Sequence, residues 1–426
     1  MRVRCAGIGC ECVTMSSKAD MGKPDAAFAS RFAGISRTSA RLILMLTLAL
    51  VTVSALWPMT PPVLLTVDVA VPVAASTVNG SPSATATEVD ENPDLTLYRT
   101  VIARVATGEG YYPAIADLHR HGYFPLRPFI VFRLPTLAVV SATLGMPVMK
   151  GLLWTLMLAV VVAWWVRLDG AFASPPRRII ALALLAFGLI FNAHPEVVVV
   201  HEVWAGLLLA LSWAAHRSGG TANWLPSLLL ALLAVMVRET ALPFVLLMGA
   251  FAAWHRRWVE SAAWGAAVVA FAVALGLHAS AVGAVTTLAD PVSAGWNSFG
   301  GWPFFVFAMR RMTQLMLLPP WLGAACVPLI LLGWAAWRSS TGLFGLLLFA
   351  GYGLILMVLG RPENFYWALM VAPTFLLGLV FLPVALADLA AAARASPSPD
   401  ATVSALPNVS RRTSRRIRSP KLARQF

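Results

Sequence analysis

Residues 41–57 read RLILMLTLALVTVSALW, a run with one charge at its first position and none after it. As an α-helix rising 1.5 Å per residue, a run of this size covers about 25 Å, close to the roughly 30 Å of a bilayer's hydrocarbon. Stretches of the same kind recur along most of the chain. In lipid every backbone amide must be paired within the protein, so such runs are helices or the strands of a closed barrel. No period of two runs through them, which excludes the barrel. Composition agrees: 59% hydrophobic and 12% charged residues, with a mean hydropathy of +0.75, lie outside the range of a water-soluble domain. The expected fold is an all-α polytopic transmembrane helical bundle of about ten spans, at 41–58, 148–166, 179–193, 197–215, 222–237, 241–254, 262–280, 320–337, 342–359 and 365–386.

Charge then sets the orientation. With the N-terminus inside, the cytoplasmic segments collect 22 of the 32 Lys and Arg and 7 of the 19 acids, and the outer segments 10 basic residues and 12 acids. That is the positive-inside bias, and it reverses if the chain is flipped. The layout expected is a cytoplasmic tail over 1–40, a transmembrane domain over 41–386 and a basic, disordered cytoplasmic tail over 387–426. Two extracytoplasmic loops stand out, 59–147 with interfacial helices and 281–319. The run at 41–57 lacks a small-residue cleavage site and reads as a signal anchor, and Met21 is an alternative start. A net charge of +13 would suit nucleic acid, but the basic residues sit at helix ends and in tails, so the expected partner is membrane lipid and no nucleic acid. Three cysteines in CAGIGCEC (5–12) and Cys326 give no disulfide or zinc spacing.

Two apolar stretches are awkward as crossings. Residues 128–146 contain Arg133 followed by Pro135, and counting them as a span would invert every later loop; they are expected to be interfacial or re-entrant. Residues 303–318 carry Arg310 and Arg311 mid-helix, which points to a juxtamembrane helix on the outer face.

Ionisable residues gather on that outer side. Pro93 and Asp94 open DLTLYRTVIARVATGEGYY (94–112), where Leu95, Tyr98, Ile102 and Val105 fall at helical spacing and Gly108 and Gly110 end the helix. Asp94 is either a helix cap at a membrane surface or a general base at the mouth of a cavity. Asp68, Asp90 and Glu91 are other acids in reach. NAHPEVVVVHEVWAG (192–206) supplies His194, Glu196, His201 and Glu202, a composition compatible with a divalent metal and equally with helix-end structure. VRETALPF (237–244) supplies Arg238 and Glu239, either an inter-helix tie or a substrate contact. GRPENFYW (360–367) supplies Arg361 and Glu363. The guanidinium forks of Arg310, Arg311 and Arg361 suit a phosphate, and Trp296, Trp302, Tyr366 and Trp367 a sugar or the interfacial belt.

The order of a single helix, DLTLYRTVIARVATGEGYY, RPFIVFRLPTL (127–137) and a series of spans resembles the GT-C superfamily of integral membrane glycosyltransferases. The RET and GRPENFYW elements look like those of a poorly characterised bacterial subgroup. The resemblance implies a bacterial plasma-membrane enzyme that transfers a sugar from a polyprenyl-phosphate donor to a glycan, lipid or protein acceptor at the extracytoplasmic face. It implies Asp94 as the catalytic base and a donor site among Tyr98, Glu202, Arg238, Glu239, Arg310, Arg311 and Arg361. The alternatives are a lipid or polysaccharide transporter or flippase, which internal repeats and mid-depth ions would favour, and a non-catalytic membrane protein.

Overall fold

The computed structural model describes residues 30–56, 93–169, 171–172, 175–217, 222–296 and 298–395. The first 29 residues, the linker with Asp68, Asp90 and Glu91, and the tail beyond 395 lie outside the described residues, and with them the expectations for Met21, the N-terminal cysteines and the basic tail.

Among the described residues the chain is all helical. Helix α1 (Arg37–Leu56) is followed by α2 (Pro93–Ala106), α3 (Tyr111–His121) and α4 (Thr136–Leu144). Then come α5 (Met146–Leu168), α6 (Pro175–Leu189), α7 (His201–Ala215), α8 (Leu225–Val237), α9 (Leu242–Trp254) and α10 (Trp258–Val285). The remainder is α11 (Gly301–Met312), α12 (Pro320–Ala336), α13 (Ser340–Leu359), the short α14 (Ala372–Phe375) and α15 (Leu382–Arg394). Tight 3-10 segments interrupt the series at Ile190–Ala193, Pro195–Val199, Pro362–Met370 and Leu376–Val380.

Length and apolarity qualify five helices to cross a membrane: α1, α5, Pro175–Ala193, α10 and α13. The pair Pro362–Met370 and Ala372–Val380, bent by 61°, makes a sixth if it is one span. The chain is thus a multi-pass helical membrane protein with five or six candidate spans, and the expectation of about ten is corrected. Apolar runs at 222–237 and 241–254 do form helices, but α8 and α9 have 13 residues each, about 20 Å of rise. Both stop at the turn around Arg238, a charge no lipid-facing helix carries cheaply. The run at 197–215 starts in a 3-10 turn, and α7, almost wholly buried, faces protein rather than lipid.

Helix α7 is the axis of the core. It packs on α5, on α8 and on Pro362–Met370. The Trp164 indole N–H donates to the Ala210 carbonyl at 3.1 Å, and Trp213 stacks on Trp334 with ring centroids 5.3 Å apart. At the periphery Val269, Val273 and Leu277 of α10 form an exposed apolar stripe at helical spacing, a surface for lipid. Helix α11 is wedged inside, with Phe304 through Met309 buried against α12, α13 and Pro362–Met370, so it is not a helix lying on the outer surface.

Two crossings bring backbone against backbone. A Cβ on Gly206 of α7 would collide with the Leu369 carbonyl, and one on Gly333 of α12 with the Gly378 carbonyl. Nothing lies within 4 Å of a Cβ on Gly351. Gly333→Ala is therefore expected to destabilise by about 1–3 kcal/mol while Gly351→Ala stays within about 0.5 kcal/mol, read from thermal denaturation in detergent. Equal melting of the two variants would contradict the close packing.

Candidate functional site

Helix ends sort onto two sides of the bundle. On one of them the ends of α2, α3, α8 and α13, with Arg133 and Pro362–Met370, enclose a cavity of about 770 Å³. Asp94 and Tyr98 enter it from one face of α2, four residues apart and so one turn from each other. Gly108, at φ +94°, ends the segment that carries them, in a conformation that suits glycine. Arg104 then ties α2 to α3 through Glu109 and Asp117, each at 2.6 Å.

Arg133 sits in the short stretch between Phe129–Val131 and α4, held by its backbone: the Tyr111 hydroxyl donates to the Arg133 carbonyl at 2.7 Å. Its guanidinium donates to the Tyr98 and Tyr366 hydroxyls, both at 3.2 Å. Among the described residues no carboxylate lies within ion-pair distance of it. Burial pushes the Tyr98 phenol up to about 12, against the pull of Arg133, so the phenol keeps its proton at neutral pH. It can accept from Arg133 and donate onward.

Burial also raises the Asp94 carboxyl above its ordinary value; Arg133 pulls it down, and Glu202 and Glu363 push it up. A raised carboxyl in a cavity is a frequent property of acid–base groups. His119, whose Nδ1 lies 2.9 Å from the Pro125 carbonyl, also lines the cavity, and burial lowers its pKa so that the ring is neutral.

The other cavity arginines are already matched. Arg238, 1% exposed, donates from Nε to Glu202 at 2.5 Å and also pairs with Glu239. Arg361 lies 2.8 Å from Glu363 and 3.3 Å from the Ser293 hydroxyl and the Gly295 carbonyl. Of the residues singled out in the sequence, Asp94, Tyr98, Arg238, Glu239 and Arg361 line this one cavity, with Glu202 behind Arg238. Arg310 and Arg311 do not line it: Arg310 lies against Gly323 of α12, and Arg311 stands over the Phe365 ring at 5.1 Å. Arg133, read in the sequence only as an obstacle to crossing, lines the cavity instead; an arginine directly after the apolar residues 129–132 and two residues before Pro135 was the available signal.

The metal reading of His194, Glu196, His201 and Glu202 does not match the geometry. Glu196 pairs with Arg99, Glu202 with Arg238, and His201 is buried edge-on to Tyr98 with centroids 5.1 Å apart. Among the described residues no group of three or more His, Cys, Asp or Glu is disposed to hold an ion.

Comparison with protein-family models, curated proteins and solved structures found no match.

Two outcomes separate structure from chemistry at this site. Arg238→Gln strands the buried Glu202 carboxylate and the half-buried Glu239 carboxylate and is expected to cost about 3–5 kcal/mol of stability; a fully stable variant would make Arg238 a free cation instead of a tie. Asp94 behaves in the opposite sense. Its raised pKa means that folding disfavours the carboxylate, so stability declines as pH rises from about 4, the ordinary aspartate range, through the folded value. Asp94→Asn should melt at or above the wild-type temperature at neutral pH, and a lower melting temperature would mark Asp94 as a helix cap.

Proposed function

We propose that this protein is a membrane glycosyltransferase that moves a sugar from a polyprenyl-phosphate donor to a hydroxyl acceptor at the face carrying the cavity. The observation that carries the reading is that one cavity holds both a half-buried carboxylate, Asp94, and a guanidinium, Arg133, with no carboxylate at ion-pair distance among the described residues. Chemistry follows from those two groups. The Asp94 carboxylate takes the proton from the acceptor hydroxyl, whose oxygen attacks the anomeric carbon. The bond from that carbon to the phosphate oxygen breaks, and the electron pair leaves with the phosphate. Arg133, with the Tyr98 and Tyr366 hydroxyls at its side, receives the charge that develops there.

The walls fit the rest of such a donor. Leu242, Ile355, Leu356 and Leu359 give one apolar side, suited to an isoprenoid, and Trp296 and Trp367 offer flat surfaces for a sugar ring. Arg361 and Arg238 have their own carboxylates and serve as the frame.

Sugar transfer by the purified protein from a polyprenyl-phosphate-linked donor is the test. Asp94→Asn should lower kcat by about 10²–10⁴-fold in folded protein. The acidic limb of the wild-type rate profile should lie above the ordinary aspartate value, because only the carboxylate is active and burial raises its pKa. Arg133→Gln should raise the donor KM by about tenfold or more. Unchanged transfer in Asp94→Asn removes the base, and unchanged donor KM in Arg133→Gln removes the phosphate site.

A further inference from the structure

At the opposite end of the bundle, the C-terminal ends of α5, α7, α9 and α12 and the N-terminus of α13 surround a second cavity of about 970 Å³. Arg167, Arg217, Arg257 and Arg338 line it, and among the described residues no aspartate or glutamate does. Glu260, just behind, lies 2.8 Å from both His216 Nε2 and Arg257 and compensates Arg257 alone among the arginines. Arg167, Arg217 and Arg338 have no carboxylate at ion-pair distance among the described residues.

Arg167 is held in place. It donates to the His216 carbonyl at 2.6 Å and to the Thr341 hydroxyl at 2.9 Å, while its Nε is buried with no partner. Ser340 and Thr341, in the first turn of the 20-residue α13, line the same cavity, so the positive end of that helix adds to the field. The positive-inside bias accounts for arginines at the ends of membrane helices, where long side chains reach to water. It does not account for an arginine drawn inward, its fork fixed by neighbours and its Nε bare, beside a cavity large enough for a small molecule.

We propose that this second cavity is an anion site that takes a phosphate-bearing ligand, bound by Arg167, Arg217, Arg338 and the N-terminus of α13. Multiple arginines without carboxylates select a ligand with more than one negative oxygen, and planar forks with helix N–H groups match phosphate geometry. Two sources share that chemistry, a soluble phosphate compound and the head group of an anionic phospholipid. The inference stands apart from the transferase reading, since no residue of the first cavity takes part in it.

Full-length protein in phosphatidylcholine nanodiscs tests it, with inorganic pyrophosphate as the soluble probe and phosphatidylglycerol, doped into the disc, as the lipid probe. Calorimetry reads the first and native mass spectrometry the second. At least one probe should bind saturably, and which one names the source. Arg217→Gln/Arg338→Gln, whose side chains make no described hydrogen bond, should weaken binding by about tenfold or more. The equal charge change Arg41→Gln/Arg394→Gln, and Arg133→Gln in the first cavity, should leave that binding intact. Binding of neither probe overturns the proposal, as does an equal loss in the Arg41→Gln/Arg394→Gln control.

Discussion

Arg238 and its two carboxylates are the constraint on which the half of the bundle around the first cavity depends. A guanidinium only 1% exposed is screened little by solvent and must be matched by acceptors close at hand. Glu202 comes from the start of α7 and Glu239 from the turn between α8 and α9, so the match fixes the junction of three helices. Other elements anchor to the same turn. The Tyr352 hydroxyl of α13 donates to the Thr240 carbonyl at 2.7 Å, and the Thr136 hydroxyl of α4 to the Met236 carbonyl at 2.5 Å. The short helices α8 and α9 are the consequence: the chain stops being helical where that charge must be held.

Most of the arginines that line the first cavity are matched by carboxylates of the fold. Arg238 and Arg361 balance against Glu202, Glu239 and Glu363, and each pair serves the architecture. Arg133 is left with phenol partners, which attenuate its field far less than a carboxylate would. Asp94 lines the same cavity, half-buried, and burial makes its charge costly there. The opposite cavity shows a related imbalance, with four arginines and, among the described residues, no acid on its walls.

Much of this was legible in the chain. Long apolar runs gave a multi-pass helical protein, and helical spacing from Asp94 through Val105 gave α2 with its glycine stop. That ions from distant segments share one place was legible in part: Asp94, Tyr98, Arg238, Glu239 and Arg361 do line one cavity. What was not legible depends on contacts between distant segments. Apolar count cannot show that the run at 197–215 is enclosed by protein, nor that Pro362–Val380 bends, so crossings were overcounted. Arg310 and Arg311 looked available because their helix was expected at the surface; its burial sends Arg310 against Gly323 instead. Arg133 looked like an obstacle because only the fold brings Tyr98 and Tyr366 to it from either side.

The most direct measurement is a cryo-electron microscopy structure of the protein with a non-transferable phosphonate analogue of a polyprenyl-phosphate sugar. The phosphonate oxygens are expected about 3 Å from the Arg133 guanidinium, with the sugar beside Asp94 and the isoprenoid along α13. A phosphonate seated at Arg310 and Arg311, or density nowhere in the cavity of Asp94 and Arg133, would contradict the account.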